Sequence, residues 1–163
     1  MKQFLHMGLF DFFKAKRLVE PAERVSALAP LLSAGANAWQ IWPSFFASLR
    51  GHADLRVDAC ATFAETYWLK QAAPTRAPRL DALVANDPAS WLVVRAQVAL
   101  AEGLEARGGG TEIQDDATYS ARLRAARIDA ESVVAADPGD APAWVILLRV
   151  ARFTGDDALD ERA

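Results

Sequence analysis

Apolar side chains recur every three or four residues through most of the second half of the chain. Residues 88–106 contain the first such set, Trp91, Val94, Val98 and Ala101, which Glu105 continues at the same spacing. The stretch that begins at Asp115 or Asp116 has five positions of the same kind, Tyr119, Leu123, Ala126, Ala130 and Val133. A third stretch follows Asp140 and contributes Trp144, Leu147, Leu148 and Ala151. A period of about 3.6 residues is typical of an amphipathic α helix, so the pattern predicts three of them.

The first half of the chain shows the same pattern less regularly. Residues 53–73 carry apolar side chains at helical spacing and predict one long helix, with Leu55, Ala59, Phe63 and Tyr67 on one face. Proline interrupts another predicted helix, which begins at Pro21 and which we expect to kink or break at Pro30. Residues 1–20 are rich in aromatic and then in basic side chains, and they predict a separate N-terminal segment.

The composition favours helices over strands. The chain has 163 residues, of which 34 are alanine, the best helix former. Isoleucine (4), valine (11) and threonine (6), which favour strands, are together fewer than the alanines. We therefore predict an all-α fold in which residues 21–163 form a single helical domain. The expected architecture is an α-solenoid, a stack of about seven or eight antiparallel helices with an irregular N-terminal half.

One short motif occurs twice and indicates an internal repeat. An Asp-Pro pair followed by a tryptophan occupies residues 87–91 and again residues 137–144, with the two pairs 50 residues apart. In each copy the aspartate ends or caps a helix and the proline stops the preceding helix. The indole then fills the space between neighbouring helices. The motif predicts repeat-like units around residues 80–136 and 128–163.

Residues 136–144, and less closely residues 86–88, resemble the tetratricopeptide repeat, whose second helix commonly ends in an Asp-Pro turn before the next aromatic residue. A regular unit of that repeat has about 34 residues, and the extra residues here lie mostly in a long helix and a glycine-rich loop. Residues 105–110 and 142–144 also resemble an uncharacterised tetratricopeptide-like family, a domain of unknown function from high-GC bacteria. That resemblance covers roughly residues 80–155 and implies a helical-repeat fold without an assigned activity.

Charge and cysteine content argue against several classes of function. The net charge of −3 provides no general attraction to nucleic acid, and no stretch is apolar enough to span a membrane. Cys60 is the only cysteine and is accompanied by only two histidines, so neither an intramolecular disulfide nor a closed zinc site is expected. We expect a soluble cytoplasmic protein. A weaker alternative is that residues 1–20 associate with the surface of a membrane.

No pattern of catalytic residues emerges from the sequence. The glycines at 108–110 are followed by Thr111 and Glu112 rather than by the lysine of a phosphate-binding loop. His52 and Cys60 are eight residues apart, about 12 Å along one helix, which is too far for a nucleophile–base pair. The prediction is a protein that is not an enzyme, with no catalytic residue, cofactor or metal.

The expected function is therefore a non-catalytic module that binds a protein or peptide partner, whose identity the sequence does not reveal. The predicted partner-binding residues are two aromatic and four polar side chains, Trp39, Trp42, Arg95, Gln97, Glu102 and Arg107. The first alternative is self-association, in which the apolar side of the Trp144 helix stays open and a second copy completes the solenoid as a homodimer. The second alternative is a ligand-binding or catalytic helical domain.

Overall fold

The computed structural model describes residues 21–110 and 112–156, which form helices joined by short turns. Seven α helices follow one another, Pro21–Ser33 (α1), Ala38–Ser48 (α2), Ala53–Phe63 (α3), Ala73–Asn86 (α4), Pro88–Arg107 (α5), Asp116–Ala136 (α6) and Ala141–Thr154 (α7). A 3-10 turn, Gly35–Asn37, precedes α2, and a π-helical turn, Ala64–Trp68, extends α3. The described residues contain no strand, which confirms the all-α prediction, and none of their helices is long and apolar enough to cross a membrane. The predicted N-terminal segment, residues 1–20, lies outside the described residues.

Aspartates start the three helices of the second half. The side chain of Asp87 accepts a hydrogen bond from the backbone N–H of Ser90, at 3.3 Å. Asp115 and Asp140 do the same at the starts of α6 and α7, at 3.0 and 2.9 Å. Each carboxylate thereby satisfies one of the N–H groups that a helix leaves unpaired in its first turn. Of the two caps that the sequence offered for α6, the structure uses Asp115.

Helix α5 lies at the centre of the molecule. It contacts α2, α3, α4, α6, α7 and the π-helical turn. Of the predicted stripe, Trp91, Val94 and Val98 are buried, but Ala101 is half-buried and Glu105 is exposed. Val93 and Leu100, on other sides of the helix, are buried as well. A single stripe was therefore too narrow a prediction, because neighbouring helices surround α5.

Helices α5 and α6 pack antiparallel along most of their length. Arg95 of α5 pairs with Asp129 of α6, and Glu102, seven residues further along α5, pairs with Arg122, seven residues earlier in α6. The five predicted apolar positions of α6 are all buried. Gly103 allows the close approach, since a Cβ there would lie 3.3 Å from side-chain carbons of Arg122 and Leu123.

The long helix predicted over residues 53–73 is interrupted. Regular α-helical geometry ends at Phe63, and the next five residues form a π-helical turn. Trp68 is fully buried, whereas Tyr67, the residue expected on the core face, is only half-buried. The wider turn accommodates one extra residue, so a side chain five positions after Phe63 faces the core.

Helix α7 closes the molecule against its first half. It packs on α3 and α5 as well as on α6, and Ile146, Leu147 and Val150 are each about 1% exposed. Of the apolar residues predicted on this helix, Leu147 and Ala151 are buried, and Trp144 and Leu148 are half-buried. The chain itself therefore covers much of the face that the sequence left open for a second copy.

Candidate ligand-binding cavity

Both Asp-Pro motifs lie at the same end of the molecule, because α5 and α6 are antiparallel. There they border a cavity of about 330 Å³, which also touches the start of α3. Its apolar lining consists of Pro88, Ala89, Leu92, Val133 and Ala136. Its polar lining consists of Arg50, Arg56, Ser132, Asp137 and Asp140. Apolar walls with a few convergent polar groups are typical of ligand sites.

A buried ion pair forms one wall of this cavity. Nη2 of Arg56 lies 2.7 Å from Oδ2 of Asp140, and the two side chains are only 15% and 4% exposed. The guanidinium carbon lies 4.2 Å above the centre of the Phe46 ring, a cation–π contact. The pair joins α3 to the start of α7, so the cavity wall is held by both halves of the chain.

Asp140 has two structural roles that use different oxygens. Oδ1 accepts the backbone N–H of Ala143 and caps α7, while Oδ2 accepts from Arg56. Burial raises the pKa of this carboxyl group, and the positive charge of Arg56 lowers it part of the way back. The carboxylate is therefore costly to bury, and Arg56 is its principal charge partner.

Arg56 has a buried donor without an acceptor. Its Nε–H finds no hydrogen-bond partner among the described residues. Arg95 shows the paired alternative, since its Nε and Nη2 donate to the two oxygens of Asp129, at 2.7 and 2.8 Å. Asp140 meets Arg56 through Nη2 alone, and its other oxygen caps α7. The ion pair on the cavity wall therefore leaves one buried N–H unsatisfied among the described residues.

The four charged side chains of the cavity balance one another. Arg56 and Asp140 form the buried pair, and Arg50 and Asp137 are exposed at the rim. Oδ1 of Asp137 accepts the backbone N–H of Gly139, which holds the turn between α6 and α7. Two positive and two negative groups leave the cavity without net charge.

Trp42, predicted to face a partner, is a core residue. Its side chain is 0% exposed and stacks on Phe46 and Phe63, with ring centres 4.6 and 4.4 Å away. Its indole Nε1 donates to the backbone oxygen of Ser90 at 2.8 Å. A partner therefore has no access to Trp42, and the surface role predicted for it is wrong. The aromatic cluster is buried because α3, α5 and the π-helical turn supply the surface that α2 alone lacks.

Trp39 is half-buried at the edge of the same cluster. The guanidinium carbon of Arg79, on α4, lies 4.6 Å from the centre of its ring. The side chain thus retains some exposed surface, but an arginine of the same chain already covers part of it.

Arg95 and Glu102 are held by ion pairs rather than presented to solvent. Arg95 contacts Asp129 and Asp81, and Glu102 contacts Arg76 and Arg122. Both line a small cavity of about 100 Å³ between α4, α5 and α6. These charged side chains form ion pairs between helices, so we interpret them as interactions that stabilise the packing of α4, α5 and α6.

Gln97 and Arg107 do not join these residues in one groove. Gln97 is 6% exposed and is part of the interior. Arg107, at the far end of α5, lies with its guanidinium carbon 5.5 Å from the centre of the Phe153 ring. The four polar residues predicted on α5 therefore lie in three different surroundings, because α5 has neighbours on every side.

A second, more open groove lies between α6 and α7. It measures about 690 Å³ and is lined by Tyr119, Ser120, Leu123, Arg124, Arg127, Val150, Phe153, Thr154, Gly155 and Asp156. Arg127, one of its two arginines, already pairs with Glu131 and Asp156. The smaller cavity at the Asp-Pro turns is the better candidate, since it is more enclosed and more of its lining is apolar.

Cys60 lies near the Arg56–Asp140 pair but is fully enclosed. Its Sγ donates to the backbone oxygen of Val93 at 3.6 Å, and burial strongly raises the pKa of its thiol. A thiol in such surroundings is a poor nucleophile. Among the described residues no three histidine, cysteine or acidic side chains group closely enough to hold a metal ion.

Sequence reasoning missed Arg50 and Arg56. The available signal was the pair of Asp-Pro motifs, which an antiparallel helix pair must bring to one end. Which arginines meet them there depends on the packing of α3 against α7.

No protein-family model, curated protein or solved structure matches this chain, so the functional argument rests on the geometry of the cavity.

Proposed function

We propose that this chain is a non-catalytic helical module that binds a segment of a protein partner in the cavity between the two Asp-Pro turns. The observation that carries the proposal is the convergence of five apolar side chains and two guanidinium groups on one enclosed space of about 330 Å³. Such a space recognises a ligand by shape and by a few polar contacts.

The chemistry of the lining residues favours binding over catalysis. Asp140 is fully engaged as a cap and as the partner of Arg56, and Cys60 is shielded from solvent. Neither is placed as a general base or a nucleophile within reach of a ligand in the cavity. Arg50 is exposed at the rim and is a hydrogen-bond donor suited to recognition, whereas the hydroxyl of Ser132 already donates to the backbone oxygen of Ile128.

We further propose that helices α4 to α7 are a tetratricopeptide-like unit. Two observations support this: α5 follows α4 through one Asp-Pro turn, and α7 follows α6 through the other. The unit departs from a regular array in the 50-residue spacing of its motifs and in the contact between α3 and α7. Repeats in a solenoid contact only their neighbours, so this contact turns the stack into a closed bundle.

A selection from a random peptide library tests the function. The wild-type chain is the bait, and an Ala136→Phe variant is the counter-selection, because Ala136 is an exposed lining residue whose enlargement fills the cavity. An Ala135→Phe variant is the control, since Ala135 is also exposed but does not line the cavity. We expect enriched peptides that bind the wild type and the control, and that bind Ala136→Phe at least about tenfold more weakly.

Either of two results would overturn the proposal. One is a selection that enriches no peptide above background. The other is a set of binders that bind Ala136→Phe as well as they bind the wild type.

Self-association is the second candidate, and a different surface now favours it. Val25 and Leu32 are seven residues apart on α1 and are 68% and 50% exposed, so they present one apolar strip. Light scattering over a range of concentrations distinguishes the two. A dimer that a Val25→Glu, Leu32→Glu variant converts to monomer supports this candidate, and a monomer at all concentrations eliminates it.

A further inference from the structure

We propose that residues 1–20 supply an amphipathic helix that packs antiparallel on an exposed apolar strip of α1. This α1 strip consists of Ala22, Val25, Ala29 and Leu32, all of which are exposed. The observation that carries the inference is an uncovered apolar surface on the helix into which residues 1–20 lead. The inference concerns an internal contact of the chain and is independent of the proposed function.

Helix α1 has two apolar faces, and the core covers only one of them. Leu28 and Leu31 are 8% and 3% exposed and belong to the core that α1 shares with α2 and α3. Val25 and Leu32 are 68% and 50% exposed. The residues of the α1 strip are spaced by three, four and three positions, which is the spacing of a seam between two packed helices.

A second copy of the chain, the alternative occupant, would gain little from the α1 strip. Stable interfaces bury about 1,200–2,000 Å² and take about 20–30 residues from each side. The α1 strip offers four side chains, two of which are alanine. A segment joined to α1 needs a much smaller contact, because the linkage gives it a local concentration on the order of millimolar.

Residues 1–20 carry an apolar face that matches the α1 strip. Leu5, Leu9 and Phe12 are four and three positions apart, so in a helix they lie on one side. A helix over residues 4–17 would be about 21 Å long. Helix α1 has 13 residues and is about 20 Å long, so the two lengths match.

The sequence also favours a turn between the two helices. Helix α1 begins at Pro21, and a proline disfavours helical backbone at the residue before it, here Glu20. A helix that comes before Glu20 therefore does not continue into α1. Residues 18–20 leave a connection of three residues, within the range of about two to five that joins antiparallel helices.

A turn at residues 18–20 determines which residues of the two helices meet. In the antiparallel arrangement Leu5 faces Leu32, Leu9 faces Ala29, and Phe12 faces Val25. The small side chain of Ala29 leaves room for Leu9 between the two outer contacts.

Disulfide cross-linking of the full chain tests this arrangement. Cys60, the only cysteine, is first replaced by alanine. Leu9→Cys is then combined with Ala29→Cys, its predicted neighbour, or with Ser26→Cys, an exposed position of α1 outside the strip that serves as the control. Because a disulfide needs closely spaced Cβ atoms, we expect the first pair to close within one chain at least about tenfold faster than the control. Mass spectrometry distinguishes closure within one chain from a link between two chains.

Two results of the cross-linking would contradict the inference. One is closure of the first pair no faster than that of the control. The other is a link between two chains as the main product of the first pair, which would assign the α1 strip to a second copy.

Hydrogen exchange of the wild-type chain provides a second measurement. We expect the backbone amides of residues 9–13 to exchange at least about tenfold more slowly than those of an unstructured chain, at every protein concentration. A Val25→Glu, Leu32→Glu variant should lose this protection, because the segment cannot cover two carboxylates. Ser26→Glu, Ser33→Glu is the matched control, since it adds the same charges at the same spacing on exposed positions outside the strip. The amides of α5 report whether each variant is folded.

Three exchange results would reject the inference. Residues 9–13 without protection in the wild type would favour their association with a membrane surface instead. Protection that persists in a folded Val25→Glu, Leu32→Glu variant would show that the segment packs elsewhere. Protection that appears only at high protein concentration would indicate a dimer.

Discussion

At the scale of single residues, the carboxylate of Asp140 has two structural roles at once. One oxygen caps α7, and the other neutralises a buried arginine. The Nε–H of Arg56 is left without an acceptor in the described part of the chain, whereas the Nε and Nη2 of Arg95 both donate to Asp129. One carboxylate thus serves both a helix start and an ion pair between the two halves of the chain.

Replacing Asp140 by alanine should destabilise the fold by about 3 kcal/mol or more, because it removes the cap and leaves Arg56 buried without its counter-charge. Chemical denaturation monitored by circular dichroism measures the loss. Asp137→Ala is the matched control: Asp137 is exposed and holds one turn N–H, so we expect a loss of less than about 1 kcal/mol.

A double variant separates the two contributions of Asp140. Asp140→Asn with Arg56→Met retains a capping oxygen and removes both charges, and it should be close to wild type in stability. If the double variant is as unstable as Asp140→Ala, the unpaired charge is not the cause of the loss.

At the scale of elements, the connection between α5 and α6 depends on one of its three glycines. Gly108 ends α5 with φ of 74° and ψ of −179°, a conformation that only glycine adopts readily. A Cβ at this position would lie 2.5 Å from the side-chain amide carbon of Gln114. Gly109 has neither constraint, since a Cβ added there would meet no described atom within 4 Å and its φ is not positive.

Gly108→Ala should therefore cost about 1–3 kcal/mol in the free energy of unfolding, whereas Gly109→Ala should change it by less than about 0.5 kcal/mol. Thermal or urea unfolding of the two variants side by side checks the difference. Equal stabilities would show that the backbone at the end of α5 adapts to a Cβ.

Helix starts were predictable from the sequence and the geometry within α3 was not. Asp115 and Asp140 are followed by helical patterns, and caps act locally, so their positions can be read along the chain. The π-helical turn depends on the fit of Trp68 among the rings of Phe63, Tyr67 and Trp91, residues from two different helices. The helical period is counted along one segment and takes no account of side chains from another helix. It therefore predicted Tyr67 on the core face.

At the scale of the whole molecule, α7 joins the two halves into one cooperative unit. Its contacts with α3 and α5 mean that the aromatic cluster of the first half and the last described helix share one interior. A linear array of repeats would allow one end to unfold while the other stays folded.

Ile146→Ala should destabilise both halves together by about 2–5 kcal/mol, because Ile146 is 1% exposed and its truncation leaves a cavity. In a Trp144→Phe background, tryptophan fluorescence reports on residues outside α7, and its transition should coincide with that of circular dichroism. Arg149→Ala, an exposed change on the same helix, is the control. A fluorescence transition that Ile146→Ala leaves in place would show that the halves unfold independently.

For the candidate site, too, local sequence patterns predict only part of the arrangement. The two Asp-Pro motifs are visible in the sequence, and the antiparallel pairing of α5 and α6 brings them together. Arg56 reaches Asp140 across 84 positions of the chain, and no local pattern predicts that contact. Trp42 and Arg95 were predicted to bind a partner because of their residue types. In the folded chain Trp42 is buried and Arg95 is paired with Asp129.

The cancelling charges around the cavity have a consequence for kinetics. A site with two positive and two negative groups exerts little long-range attraction, so a partner meets it by unguided diffusion, with association rate constants on the order of 10⁵–10⁶ M⁻¹ s⁻¹. For the same reason, raising the ionic strength should change neither the encounter rate nor the affinity appreciably. Selectivity among partners would then reside in the dissociation rate, and complexes formed here would tolerate large changes in cellular salt.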